Sequence, residues 1–390
     1  MDGARRPLTR IVEGPQRADL LELFFDLTFI ASLALTSQKM ATEPTWTSMA
    51  QALIALSTLW AVWVTTTSFT DLYTPQARRI RFVILGIMFG GMLMAAALPH
   101  AFSNHGLVFG ATWAAINWGR GLVLIPSLRG RREQERPLRV LLWTTVSGAL
   151  WIAGGLVPEP GGRLVVWLAA LAVDYVGFGL RFPIPGRPPL PQYEVAPEHL
   201  AERYQQIYIL TLGELVLITV LALSRMPFSA PRITAFVIAF LTAVVLWWSY
   251  ARRTGAILRD AIEASAHRSR LVQTNPYAHW LMVVAVVATA AGIERVIDDP
   301  LDRPDATLTA LILGGAALFL AGRATLDHEV FGRVPTSHLI GIVVAVAITP
   351  LAPHLSGLGL SVAGSIVLLG VAVADSVWIP YRPSSPPATP

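Results

Sequence analysis

The sequence predicts an all-α, polytopic transmembrane bundle of about twelve helices, built as two parallel six-helix repeats. Composition comes first: of 390 residues, 54% are hydrophobic and 14% charged, where an ordinary soluble domain carries roughly 25% charged residues. Apolar runs of about eighteen residues or more recur from Leu20 to Ile379, and each is long enough as a helix to cross a hydrocarbon core of about 30 Å. Nothing between the runs is long enough for a second, soluble domain. The third observation is a set of motifs that recur at nearly constant distance along the chain.

The first run, 20–38, opens on Leu21-Glu22-Leu23-Phe24-Phe25-Asp26-Leu27 and closes on Gln38 and Lys39. It lacks a small-residue cleavage site, so it reads as a span and not as a removable signal peptide. The second, 48–68, carries Trp60 and Trp63, and the third, 80–98, follows the basic cluster Arg78, Arg79 and Arg81. The fourth, 106–126, contains Gly119-Arg120, the fifth is 138–157, and the sixth, 163–180, holds Ala172-Val173-Asp174. The longest internal polar stretch then runs from Arg181 to Arg203, where Pro183, Pro185, Pro188, Pro189, Pro191 and Pro197 make a stiff, extended linker. The seventh, 204–224, carries Glu214 behind Gly213, and the eighth, 232–251, ends near Trp247 and Trp248. The ninth, 277–295, closes on Glu294 and Arg295, which are expected to pair at the outer interface. The tenth, 306–326, contains Gly322-Arg323, the eleventh, 337–354, is broken by Pro350 and Pro353, and the twelfth, 357–379, holds Val373-Ala374-Asp375.

These spans divide six and six, giving an N-terminal half at 1–182, a Pro-rich linker at 183–203 and a C-terminal half at 204–390. Gly-Arg recurs after 203 residues and the Ala/Val-Asp motif after 201. Because six crossings return the chain to its starting side, such halves are parallel repeats about an axis along the membrane normal. Orientation follows from Lys and Arg in the connections. One side holds twenty-three of them, including Arg5, Arg6, Arg10 and Arg17, and the other holds six. That asymmetry places both termini in the cytoplasm. Twenty-nine of the thirty basic residues are Arg, so a pI near 9.9 reflects membrane orientation and composition, and nucleic acid is not an expected partner.

A charge at mid-bilayer costs roughly 2.5–3.5 kcal/mol, so the ionisable residues within the spans are the candidate site. Glu22 and Asp26, four apart, share one face of the first helix. They either line a working site or cap the helix and pair with a loop arginine. Glu214 lies about ten residues into its span, roughly 15 Å along the axis. Arg120 with Asp174, and Arg323 with Asp375, are expected to pair within their halves, with Asp327 as a competing partner for Arg323. Cysteine is absent, which excludes disulfides, thiolate metal sites and cysteine nucleophiles. The histidines lack metal-ligand spacing, with His267 and His279 read as surface residues, and no P-loop, dinucleotide fingerprint or nucleophile elbow occurs. Neither a metal nor a cofactor is expected.

Leu21-Glu22-Leu23-Phe24-Phe25-Asp26-Leu27 with Phe29 resembles the N-terminal signature of the bacterial low temperature requirement A family. His199-Leu200-Ala201-Glu202-Arg203, followed by Leu212-Gly213-Glu214, resembles its second signature. Gln205 and Gln206 depart from the more apolar, glycine-containing stretch expected there. The resemblance implies a polytopic bacterial membrane protein and adds His199, Glu202 and Arg203 to the polar positions; it brings no biochemical activity. The leading expectation is a transporter or channel for a small solute or cation, proton-coupled through Glu22, Asp26 and Glu214. Two six-helix repeats also resemble the endosomal–lysosomal potassium channels of that architecture. An intramembrane enzyme acting on a lipid head group, and a sensory or scaffold protein whose charges hold helices together, are the alternatives. The expected partners are the bilayer, an unidentified solute or ion, and further copies in an oligomer.

Overall fold

A computed structural model describes residues 19–190, 197–264 and 268–378. The N-terminal arginines, His267, Arg382 and residues 191–196 of the linker lie outside these residues. The described chain is helical throughout, with no strand. Its helices are α1 (Leu20–Thr42), α2 (Trp46–Leu72), α3 (Arg78–Ala97), α4 (Gly106–Ser127), α5 (Glu135–Leu156), α6 (Pro160–Gly179), α7 (Pro197–Ser224), α8 (Ala230–Ala264) and α9 (Arg268–Asp298). Next come α10 (Ala306–Phe331, with a π turn at Ala310–Gly314), α11 (Thr336–Ile348) and α12 (Gly357–Trp378).

Local chemistry sets several of these ends. Asp19 caps α1 in a capping box: its side chain accepts from Leu21 N–H while the Glu22 carboxylate accepts from Asp19 N–H at 2.8 Å. Gln76, from the loop after α2, donates to Asp19 and ties that end down. Proline opens α7, where a missing N–H is harmless, so seven residues assigned by sequence to the linker are helical and His199, Glu202 and Arg203 belong to α7. Pro350 and Pro353 do not break the eleventh span; the last turn tightens instead to a 3₁₀ helix over Thr349–His354.

Eleven of the twelve helices are long and apolar enough to span a membrane, and the protein is a multi-pass membrane protein. The exception is α4, whose 22 residues are diluted by Asn117, Arg120, two tryptophans and four glycines. Its neighbours resolve the matter: α1 and α7 run parallel, as their pairing below demonstrates, so an even number of crossings separates their starts and α4 is one of them.

The outward surface is apolar, with Phe82, Phe89, Val343 and Val346 all more than half exposed, while charged side chains of the spans turn inward. Helix α1 packs on α2 and α3, α3 on α4, α4 on α5, α5 on α6, and α6 returns to α2. Six helices later the same sequence of neighbours recurs: α7 on α8 and α9, α9 on α10, α10 on α11, α11 on α12, and α12 on α8. One apolar core is centred in each set, and the sets meet where α1 packs against α7 and α9. Between α4 and α5 the backbones nearly touch: a Cβ on Gly155 would lie 2.7 Å from the Gly106 carbonyl oxygen.

Candidate functional site

Along α1, Glu22, Asp26, Leu33 and Ser37 form a buried stripe at helical spacing, and along α7 so do His199, Arg203, Ile207, Thr211 and Glu214. The stripes face each other in strict register. His199 Nε2 meets Glu22 Oε2 at 2.9 Å, Arg203 meets Asp26 through Nη1–Oδ2 and Nη2–Oδ1 at 2.7 Å each, and Ser37 Oγ donates to Glu214 Oε1 at 2.6 Å. Each of these pairs is separated by 177 residues. A constant offset over fifteen residues requires two parallel helices. It also sets an acid–acid pair on α1 against a His–Arg pair on α7 at identical spacing.

Helix α2 completes the cluster. Asp71 Oδ1 lies 2.5 Å from His199 Nδ1, and Trp63 Nε1 donates to Asp26 Oδ1 at 2.8 Å. Trp63 stacks on Trp60, meets Tyr204 edge-on, and lies under the Arg203 guanidinium. Read from sequence, the second span ends at 68 and excludes Asp71, while Trp63 and Ser37 fall within spans but carry no charge to mark them as part of a site. Trp60, Trp63, Thr67 and Asp71 nonetheless recur at spacings of three and four, the signal of one helix face.

His199 is held from both sides. Both ring nitrogens face carboxylate oxygens, yet a neutral imidazole has a single N–H to donate. Two protons must therefore occupy the two contacts, either both on the ring or one on the ring and one on a carboxyl group. Removing one proton leaves two lone pairs facing each other and breaks the bridge from α7 to α1 or to α2. The fork at Arg203 is different: two guanidinium N–H groups donate to the two oxygens of one carboxylate, which fixes the geometry of the pair.

Other sequence-predicted residues fall elsewhere. Glu214 is fully buried on α7 with Ser37 as partner, and its Oε2 has none. Glu202 is half-buried and accepts from Gln206 at 3.3 Å on its own helix. The expected pairing of Arg120 with Asp174 does not occur: Arg120 donates to Thr66 Oγ1 at 3.0 Å, and Asp174 accepts from Trp151 Nε1 at 2.9 Å. In the second half Arg323 lies 3.7 Å from Asp327, its competing partner, while Asp375 accepts from Ser337 at 2.5 Å and contacts His338 at 2.9 Å. Nor do Glu294 and Arg295 pair with each other, since neighbours in sequence point apart on a helix; Arg295 binds Asp305 and Glu294 faces Arg225. His279 is buried rather than at the surface, packed between Tyr204 and Tyr250. No group of three or more His, Asp or Glu side chains among the described residues is placed to hold a metal ion.

Residues 17–373 match the family model described as bacterial low temperature requirement A protein (LtrA). An uncharacterized protein of Rhizobium meliloti (strain 1021) is 31% identical over 377 residues, covering 94% of this chain and 90% of that one. No solved structure matches the chain.

Proposed function

The chain belongs to the bacterial low temperature requirement A family, and for this member we propose a transporter or channel of the bacterial cytoplasmic membrane, moving a small solute or cation under proton control. The observation that carries the reading is His199 held between Glu22 and Asp71, a buried bridge that closes only when two protons occupy it. The bridge crosses the seam between two six-helix sets with the same order of neighbours, the place where parallel repeats move against each other in alternating access. With both termini cytoplasmic, as the arginine asymmetry supports, the bridge sits near the cytoplasmic ends of α1 and α7 and exchanges protons with that side. Loss of a proton loosens one strap while Arg203 and Asp26 stay paired, so the halves remain joined as they shift. Glu214, about 22 Å beyond His199 along α7, is a further carboxylate on the same seam.

One competing reading has direct support. The pairs are sealed, with Glu22, Asp26, His199, Arg203 and Glu214 each at most 1% exposed, as a scaffold whose charges only fix helix register would have them. Purified protein in liposomes separates the two. A pH gradient or membrane potential is expected to drive flux of a small cation or solute, and His199→Gln is expected to remove its pH dependence while the protein remains folded. Flux that is absent under both gradients leaves the scaffold, and flux that keeps its pH profile in His199→Gln removes the bridge from the mechanism.

A further inference from the structure

Beside the seam, α2, α4, α5 and α6, with Pro276 and Tyr277 of α9, frame two adjoining, partly open cavities. Asn117, Thr65, Val140, Phe178 and Phe182 line both, so they form one crevice. At one end lies Arg120 and at the other Asp174, the two charges that the sequence leads one to pair.

Arg120 is 6% exposed, has one hydrogen bond, to Thr66, and rests its guanidinium over Phe69 at 5.7 Å. Its Nε has no partner, and no carboxylate of the described residues reaches it within ion-pair distance. A guanidinium has five N–H donors and cannot shed its charge, so in a bilayer this arrangement calls for an anion. Asp174 shares its end of the crevice with Trp60, Trp113, Tyr175 and Tyr277, and the buried Trp113 Nε1 has no acceptor. A carboxylate among aromatic faces is the environment that holds an organic ammonium group.

The second half supplies an internal comparison. There the corresponding charges are met by the protein itself: Asp327 lies beside Arg323, and His338 and Ser337 hold Asp375. Leu124 stands four residues after Arg120, where Asp327 follows Arg323, and the volume stays open. The backbone beyond α6 also turns back on itself, with consecutive left-handed residues at Arg181 (φ 60°) and Phe182 (φ 54°) bringing Phe182 into the crevice wall. Non-glycine residues adopt that conformation at a cost, and it concentrates at binding sites.

We infer that this crevice binds a small organic zwitterion, with its anionic group at Arg120 and its cationic group among the rings beside Asp174. The ligand supplies what Asp327 and His338 supply in the other half. Binding stands apart from any transport reading, since it is measured without a gradient.

The test uses the full-length protein in detergent, with tryptophan fluorescence and thermal unfolding as readouts. The probes are glycine betaine, 4-aminobutyrate and 6-aminohexanoate, with choline and isobutyrate as single-charge controls. At least one zwitterion is expected to bind roughly tenfold or more tightly than either control, a difference on the order of one decade in Kd. Arg120→Gln and Asp174→Asn should each reduce it to the level of the controls. Binding of choline alone or isobutyrate alone as tightly as the zwitterions overturns the assignment, as does absence of any response. The wild-type series decides the question even if a variant fails to fold, and Arg120→Lys, which keeps the charge, is expected to retain measurable binding.

Discussion

Arg203 and His199, one turn apart on α7, answer two acids one turn apart on α1, yet the two contacts respond differently to perturbation. The Arg203–Asp26 fork is buried and charged, so removing one partner strands the other; Arg203→Met should destabilise by about 3–5 kcal/mol. The double variant Arg203→Met with Asp26→Leu should recover much of that loss, because the stranded charge is gone, and unfolding in detergent micelles as a double-mutant cycle measures the difference. Outside the spans, Asp305 caps α10 by accepting from Leu308 N–H and pairs with half-exposed surroundings to Arg295. Burial pushes its carboxyl up, but the bonds from Arg295, Leu308 and Thr307 outweigh this and hold it at about 2. Since an unfolded aspartate titrates near about 3.9, its contribution is present above that pH and is lost as pH falls through about 2. Asp305→Asn should flatten this acid limb of stability by a modest amount, as expected for a side chain 50% exposed.

At the level of the helix, length and apolar composition carried most of the information. The runs read from sequence correspond one for one to α1 through α12, because a bilayer imposes a minimum length that few other constraints mimic. What sequence could not supply is where polar residues prolong a helix past the apolar run. Helix α2 continues to Leu72 and α7 begins at Pro197, and those extra turns carry Asp71 and His199, half of the site. Rotation about the axis was equally hidden: Arg120 and Asp174 were legible as intramembrane charges, but their partners depend on which way α4 and α6 face. The α4–α5 contact is set by glycine, and Gly155→Ala would press a methyl group against the Gly106 carbonyl. A loss of about 1–3 kcal/mol is expected, read by the thermal midpoint of the purified variant, whereas Gly91→Ala, with open space around it, should be neutral.

For the whole molecule, the matching order of neighbours in α1–α6 and α7–α12 supports the proposed parallel repeat, and the arginine distribution supports cytoplasmic termini. The absence of cysteine makes the second point simple to examine. Arg303→Cys, in the α9–α10 connection, should react with a membrane-impermeant maleimide in intact cells. Arg129→Cys, after α4, should react only once the membrane is opened. The reverse pattern would invert the molecule and move the His199 bridge to the other face.

The even spacing of contacts along α1 and α7 limits how these helices can travel. Sliding one past the other by a single turn, about 5.4 Å, would leave Arg203 opposite Ile30 and Glu214 opposite Ala41. Two of the three teeth would disengage, and only His199 would meet another acid, Asp26. A small tilt keeps the far end meshed while the near end parts, so this junction acts as an axle that permits swivelling and resists slip.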